Sequence, residues 1–210
     1  MTDIQRIVST IEEGFAHTPQ PGAEFLQGSH EGCEPGEAVK PFRAFSDWRD
    51  VPADTLNAQY TALSFFSEGG FRFFLPAYLV ADVRNLLMVD PMFHLTGHFG
   101  RGVVDVPVGG RAFVREIGGG VLLNPRRYGA IHFEDYARYR LSVFCREEAR
   151  AIVAYLAFRR DKAELDMERN DIDTALAAFW KRRAEEAPTA SELQAHIERE
   201  QDFIAGMSSG

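Results

Sequence analysis

The densest run of apolar residues in the chain lies at residues 67–87, and its spacing is helical. The repeating positions are Phe71, Phe74, Leu75, Tyr78, Leu79, Val83 and Leu86. Residues three or four apart share one face of a helix, so the run predicts a buried stripe. Pro76 interrupts it, because a proline inside a helix removes a backbone hydrogen bond and costs about 3 kcal/mol. We therefore expect two short helices that meet at Leu75 and Pro76, with the Ser67 hydroxyl capping the first.

Helical spacing of apolar residues also recurs toward both ends of the chain. It predicts a helix at residues 3–16 capped by Thr2 or Asp3, a helix opened by Cys145 and Glu148 as a capping box, a helix capped by Asp171, and a weaker helix at residues 191–204. The helices that follow Cys145 and Asp171 each carry one apolar stripe, so we expect them to pair antiparallel. Residues 205–210 are expected to form a frayed tail.

Two stretches rich in glycine break the helical pattern. Residues 17–41 have no apolar period, which predicts a long surface connection. Residues 97–129 form an insertion rich in glycine and arginine, which predicts a β-hairpin from residues 103–108, a turn at Gly109 and Gly110, and residues 111–117. A chain of 210 residues is long enough to bury one core. We therefore expect residues 1–210 to form a single domain of the mainly α class, α+β only through this small β-hairpin.

Composition and charge narrow the classes of function. A formal net charge of -8 argues against sequence-independent nucleic-acid binding, which needs a basic face. No apolar run approaches the ~18 residues of a membrane span, and the N-terminus lacks the basic start and apolar core of a signal peptide. We therefore expect a cytoplasmic protein that binds neither nucleic acid nor membrane.

Cys33 and Cys145 lie far apart in the sequence and match no metal spacing, so we expect no disulfide between them.

Five blocks of the sequence carry a recognisable pattern: GFAHTPQPG, DWRDVPADTLNAQYTALSFFSEGGFRFFLPAYLVADVRNL, DPMFHLT, RLSVFCREEARAIVAYLAFRRD and ALAAFW. Together they resemble a bacterial family of functionally uncharacterised proteins. The most specific piece is the Leu-Pro-Ala-Tyr-Leu run at residues 75–79, which follows a phenylalanine-rich helix. The sequence departs from the family pattern at Cys145, where the family prefers a hydroxyl, and at residues 97–129. The resemblance implies a mostly helical architecture and supplies no catalytic residues.

A metal site is one candidate chemistry. His94 and His98 have the i, i+4 spacing with which many zinc sites begin on a helix. Gly97 lies between them and disfavours a helix, the glutamate of the metalloprotease motif is absent, and no third ligand is fixed by spacing. His30 and Cys33 likewise match no ligand rule. We therefore expect no metal and no cofactor.

Arginines and a cysteine are the other candidate groups. Guanidinium groups match the geometry of phosphate and carboxylate, so the five arginines in residues 101–127 form a candidate anion site, although no phosphate-binding glycine motif accompanies them. Cys145 begins a helix, where the backbone dipole lowers the pKa of a thiol. No spacing brings a histidine base to it, so helix capping is the preferred interpretation.

These observations leave two classes of function. We expect a non-catalytic binding or protein-interaction protein, because large aromatics are available for recognition and no catalytic motif is present. The alternative is an anionic-ligand binding protein, or an enzyme whose site is assembled around His94 and the arginines of residues 101–127. The candidate ligand-binding residues are Tyr78, His94, His98, Arg126 and Arg127.

Charge is unevenly distributed along the chain, which bears on its partners. Residues 94–128 carry five arginines against two acids, whereas twelve acids face six bases from Asp161 onward. Opposite patches on two copies attract each other, so the expected partner is an unknown protein or a second copy in a homodimer. Trp48 or Trp180 would supply the apolar anchor of that dimer.

Overall fold

The computed structural model describes residues 2–99, 102–108, 111–117, 121–124, 129–195 and 199, and within them the chain is mainly helical, as predicted. The α-helices are α1 (Asp3–Gly14), α2 (Glu34–Val39), α3 (Ala53–Ala58), α4 (Ala62–Phe65), α5 (Glu68–Val83), α6 (Met92–Thr96), α7 (Phe133–Leu141), α8 (Arg146–Lys162), α9 (Asp166–Ala175) and α10 (Lys181–Glu186). Short 3₁₀ helices lie at Ala23–Phe25, Lys40–Ala44 and Trp48–Asp50, and a π-helical turn at Leu176–Trp180 joins α9 to α10. No helix in these ranges is long and apolar enough to cross a membrane.

The central helix α5 corrects the prediction of two short helices. It is continuous although Pro76 lies inside it. All residues in the range 70–83 except Asp82 are buried. Apolar burial around the whole circumference of the helix therefore outweighs the backbone hydrogen bond that the proline removes. The Ser67 hydroxyl accepts a hydrogen bond from the Gly70 amide at 3.0 Å, which confirms the predicted cap.

The end of α5 leaves one residue of the predicted stripe outside the core. Asn85 adopts the left-handed conformation with φ 56°, and the Leu86 amide donates to the Ala81 carbonyl at 2.9 Å. This geometry ends a helix. Leu86 therefore lies beyond α5 and is 49% exposed, which corrects its assignment to the buried face.

The antiparallel pairing predicted for the C-terminal helices is confirmed. In the first half of α8, Arg150 Nε donates to the Ala184 carbonyl of α10 at 3.2 Å. Near the end of α8, Arg160 Nη2 donates to Asp173 Oδ2 of α9 at 2.9 Å. The second helix begins before its predicted cap, so Asp171 lies inside α9. The first turn of α9 faces solvent, and its one apolar residue, Met167, is 70% exposed, so an apolar period does not reveal it.

Residues 17–41 are more than the surface connection that was predicted. Leu26 and Val39 are fully buried, and Gln27 forms an isolated antiparallel bridge with Phe66. Backbone hydrogen bonds of 2.7 and 2.8 Å close the bridge. The segment contains too few apolar residues to show a period. Its burial depends on a contact with residues that are remote in sequence.

Antiparallel strand pairs follow α6. Strand β1 (Gly102–Val108) pairs with β2 (Arg111–Ile117), and β3 (Val121–Asn124) pairs with β4 (Gly129–His132). The turn predicted between β1 and β2, at Gly109 and Gly110, lies outside the described residues. The hairpin as a unit therefore stays a prediction.

A cluster of buried apolar residues runs through the helices, from Val8 in α1 to Ala184 in α10. Three phenylalanines lie at its centre: the ring centroids of Phe42, Phe66 and Phe74 are 4.9 to 5.2 Å apart. Aromatic pairs at these distances contribute beyond the area they bury. The face of α5 that carries Phe74 is therefore part of the core, as the stripe predicted.

The two tryptophans correct the predicted anchor of a dimer. Trp48 is 3% exposed and Trp180 is 0% exposed. The indole Nε1 of Trp180 donates to the Leu95 carbonyl at 2.8 Å, so its polar atom is also satisfied inside the protein. Neither side chain is available to a second copy of the chain.

Candidate functional site

Tyr78, a predicted ligand-binding residue, is part of the core. It is 2% exposed, and its hydroxyl donates to the Gln59 carbonyl at 2.8 Å. Burial raises the pKa of its phenol well above the usual value. Tyr78 therefore ties α5 to the segment that follows α3.

His94 and His98 do not share a helix face. α6 ends at Thr96, and His98 lies beyond it with φ 73°. Burial and the Arg140 cation lower the pKa of the half-buried His94 to about 4, so its imidazole is neutral at pH 7. In the part of the chain that the structure describes, no three His, Cys, Asp or Glu side chains are placed to hold a metal ion.

Arg126 and Arg127 lie outside the described residues, so their approach to His94 stays a prediction. The structure brings a different arginine to this place. Arg140 of α7 lies with its guanidinium carbon 4.5 Å from the ring centroid of Phe71, next to His94. Arg140 was missed because it follows the arginine-rich insertion and belongs to a helix that was not predicted.

A buried ion pair joins α5 to α8. Arg72 Nε lies 2.9 Å from Oε1 and 2.8 Å from Oε2 of Glu148, and the two side chains are 11% and 1% exposed. The same carboxylate accepts hydrogen bonds from the Thr18 hydroxyl at 2.5 Å and the Cys145 amide at 2.8 Å. Because protein groups satisfy all of this carboxylate, the pair holds the two helices in place.

A second buried network joins α5, α8 and α9. Asp82 accepts a hydrogen bond from the Tyr155 hydroxyl at 2.7 Å and two from Arg159 at 2.6 and 2.7 Å. Arg159 also donates to Glu168 at 3.1 Å. Burial raises the pKa of Asp82. Within the described residues every fully buried side-chain nitrogen and oxygen has a hydrogen-bond partner.

Cys145 caps α8 in the predicted capping box. Its amide donates to the Glu148 carboxylate, which is the reciprocal bond of that motif. The thiol is 2% exposed, and burial together with the Glu148 charge raises its pKa to about 11. The helix start therefore does not activate this thiol, since a thiol with that pKa is almost wholly protonated at pH 7.

We expect a thiol reagent to distinguish the two cysteines. Cys33 is exposed and Cys145 is buried, so a chromogenic disulfide reagent at pH 8 should titrate one thiol in the folded chain and two in denaturant. The variant Cys33→Ser should show no reactive thiol when folded and one when unfolded. Rapid modification of Cys145 in the folded variant would contradict the burial of its sulfur.

An open groove of about 760 Å³ lies between the start of α5 and α7, and we call it the α5–α7 groove. Residues from the segment 21–30 form one wall, and residues from 64–69 form its floor. Tyr136, Tyr139 and Arg140 of α7 form the opposite wall. The isolated bridge between the first wall and the floor fixes their relative position.

Exposed aromatic side chains surround this groove. Phe25 is 64%, Tyr139 is 63% and Tyr136 is 37% exposed. Glu24 and Glu68 also line the groove. Exposed aromatics grouped with charged residues are typical of recognition surfaces.

Arg140 ties the α7 wall of the groove to α4 and α5. Its guanidinium donates to the Leu63 carbonyl and packs over the Phe71 ring. It also lies near enough to Glu68 for electrostatic attraction. Arg140 therefore offsets one of the two groove carboxylates, and the carboxylate of Glu24 keeps the groove negative.

Sequence reasoning missed this groove for a physical reason. Its two sides come from segments 21–30 and 133–141, which only the fold brings together. One local signal was present, because Tyr136 and Arg140 stand four residues apart and share a helix face. No spacing in the sequence indicated the contact between segment 21–30 and the start of α5.

The comparisons with known proteins describe the N-terminal part of the chain. Residues 4–94 match the model of a family described as "Family of unknown function (DUF6714)". The match includes residues 75–79 and the first wall and floor of the groove, and it ends before α7. The expected resemblance to an uncharacterised family is thus confirmed for residues 4–94, while its bacterial origin and its hallmark motif stay predictions. No curated protein and no solved structure matches the chain.

Proposed function

We propose that this chain is a non-catalytic protein-interaction module whose α5–α7 groove binds a basic segment of a partner protein. The observation that carries the proposal is the grouping of Phe25, Tyr136 and Tyr139 with Glu24 and Glu68 around one groove. The family match supplies no activity, so the proposal rests on the chemistry of this surface.

The chemistry of the groove favours a cation. A lysine or arginine side chain over an exposed aromatic ring gains about 0.5–1 kcal/mol, and a neighbouring carboxylate adds a charge-assisted hydrogen bond. The formal net charge of -8 attracts basic partners over a longer range. Large aromatics such as Tyr139 and Phe25 bury area with little loss of rotamer freedom, which makes them effective anchors.

The wider setting of the module is also part of the proposal. A single domain is supported by the continuous cluster of buried residues from Val8 to Ala184. A cytoplasmic location is supported by the free thiols of Cys33 and Cys145. Self-association as a homodimer stays a proposal too, although with both tryptophans buried it must depend on other side chains.

We expect a lysine-rich peptide to bind more tightly than a glutamate-rich peptide of equal length at 0.15 M salt, a concentration that screens long-range attraction. Fluorescence anisotropy of the labelled peptides measures both affinities. In the double variant Phe25→Ala/Tyr139→Ala, the lysine-rich peptide should bind about tenfold more weakly, which corresponds to about 1.4 kcal/mol.

The matched control is Tyr60→Ala. Tyr60 is 55% exposed but does not line the groove, so its loss should leave peptide affinity unchanged. Equal binding of the two peptides, or equal weakening by Tyr60→Ala and the double variant, would exclude the groove as the binding surface. Because all three side chains are exposed, the variants should unfold at temperatures close to the parent.

A further inference from the structure

A second pocket, of about 290 Å³, lies where the π-helical turn meets α7 and α10. Its charged lining consists of Arg138, Arg182, Arg183 and Glu186, and we call it the arginine pocket. Three guanidinium groups thus meet one carboxylate in a chain whose formal net charge is -8. The excess of positive charge sets this pocket apart from the acidic α5–α7 groove.

The three arginines are held in different ways. Arg138 pairs with Glu134 at 2.7 Å, and Arg182 pairs with Glu186 at 2.7 Å. Arg183 instead donates to the Phe144 carbonyl from Nε at 2.9 Å and from Nη2 at 2.7 Å. Main-chain carbonyls fix the fork of Arg183 but do not neutralise its charge. Counting both carboxylates, the pocket therefore keeps a net positive charge.

Aromatic contacts position the π-helical turn and Arg138 at the edge of the pocket. Phe179 in the π-helical turn lines the pocket and stacks on Phe99, with ring centroids 5.6 Å apart. The guanidinium of Arg138 lies 5.9 Å from the Phe99 ring centroid. The next residue, Trp180, is anchored in the core by its indole hydrogen bond. A π-helical turn within an α-helix frequently marks a functional site.

Burial and the cation of Arg72 lower the pKa of Arg183, although nearby acidic groups oppose this change. The Arg183 guanidinium nevertheless stays charged near neutral pH, so it attracts an anion. The volume is at the lower end of the range for ligand sites, which suits a small group rather than a large organic molecule.

We propose that the arginine pocket binds a phosphate group. Guanidinium groups form paired, charge-assisted hydrogen bonds with phosphate oxygens, and the Phe144 and Ser142 carbonyls orient Arg183 without neutralising its charge. The group is either free inorganic phosphate or the phosphate of a small monoester. This inference does not depend on the peptide-binding role of the α5–α7 groove.

The test is calorimetric titration of the protein with inorganic phosphate and, separately, with phenyl phosphate. A chloride salt keeps the ionic strength equal in all titrations, so that a non-specific salt effect is not mistaken for binding. We expect saturable binding of both probes. Tighter binding of phenyl phosphate would identify a monoester as the natural form, and equal binding would identify the phosphate group alone.

Two variants with opposite expected effects locate the binding in this pocket. Arg182→Gln should weaken phosphate about tenfold, because it removes one charged donor. Glu186→Gln should tighten phosphate about threefold, because it removes a competing carboxylate, and a general loss of folding would not produce tighter binding. The control is Arg169→Gln, which removes an arginine that pairs with Asp166 outside the pocket and should change nothing.

The proposal is overturned if neither probe shows saturable binding. It is also overturned if Arg182→Gln and Arg169→Gln weaken phosphate equally, or if Glu186→Gln fails to tighten it. Peptide binding in the α5–α7 groove is measured separately, so either proposal can fail while the other stands.

Discussion

Replacing Arg72 by methionine should lower the free energy of unfolding by about 3–5 kcal/mol, because it leaves the Glu148 carboxylate charged and buried without its cation. The Glu148 side chain is 1% exposed, so its carboxylate is shielded from solvent in the folded chain. For a chain of this size the loss corresponds to a drop of about 10 °C in the unfolding midpoint. Urea unfolding and a thermal melt of Arg72→Met measure it.

A second substitution separates charge from packing. The double variant Arg72→Met/Glu148→Gln no longer contains an unpaired buried carboxylate. Its glutamine amide oxygen can still accept a hydrogen bond from the Thr18 hydroxyl or the Cys145 amide. Most of the lost stability should return. The surface pair of Arg6 and Asp3, with side chains 61% and 77% exposed, provides the control, and Arg6→Met should cost less than about 1 kcal/mol. If Arg72→Met costs no more than Arg6→Met, the buried pair is not a structural lock.

The parts of the fold that the sequence predicted correctly depend on residues close together in the chain. The Ser67 cap and the capping box of Cys145 and Glu148 each involve positions three apart. The helical stripe around Phe74 depends on the period of one helix. These features follow from local geometry, so a single sequence suffices to find them.

The predictions that were wrong concern places where tertiary packing outweighs local preference. Pro76 is unfavourable in an isolated helix, but α5 is buried on all sides, and packing against the neighbouring elements keeps it helical through Pro76. The two tryptophans were wrongly expected at a surface. No local pattern in the sequence shows whether a single side chain is buried or exposed. Burial of a whole helix or of a single indole is decided by elements that are remote in sequence.

The candidate site illustrates the same limit. Histidines and arginines were selected by residue type, and the structure places His98 beyond the helix that carries His94 while bringing Arg140 close to both. The ion pair of Arg72 and Glu148 spans 76 positions, so no spacing rule connects its members. The groove likewise needs three segments that meet only in the folded chain.

Phe74→Ala should also lower the free energy of unfolding by about 3–5 kcal/mol, because it empties the centre of the core. Phe74 is 0% exposed, and its ring centroid lies 5.0 Å from that of Phe42 and 5.2 Å from that of Phe66. Those rings belong to separate segments, so they cannot close over the cavity without moving the Lys40–Ala44 turn or the start of α5. Since a domain is stable by only about 5–15 kcal/mol, the loss is a large fraction of the total.

The matched control for this variant is Phe93→Ala on α6. Phe93 is 65% exposed, so removing its ring should change the urea midpoint far less than Phe74→Ala does. Both variants lose the same atoms, so the difference between them measures burial rather than residue type. A Phe74→Ala protein with the midpoint of the parent would show that α5 is not the helix on which the core depends. If the urea midpoint falls in Phe74→Ala but not in Phe93→Ala, the contact of α5 with Phe42 and Phe66 is a major source of the stability of the fold.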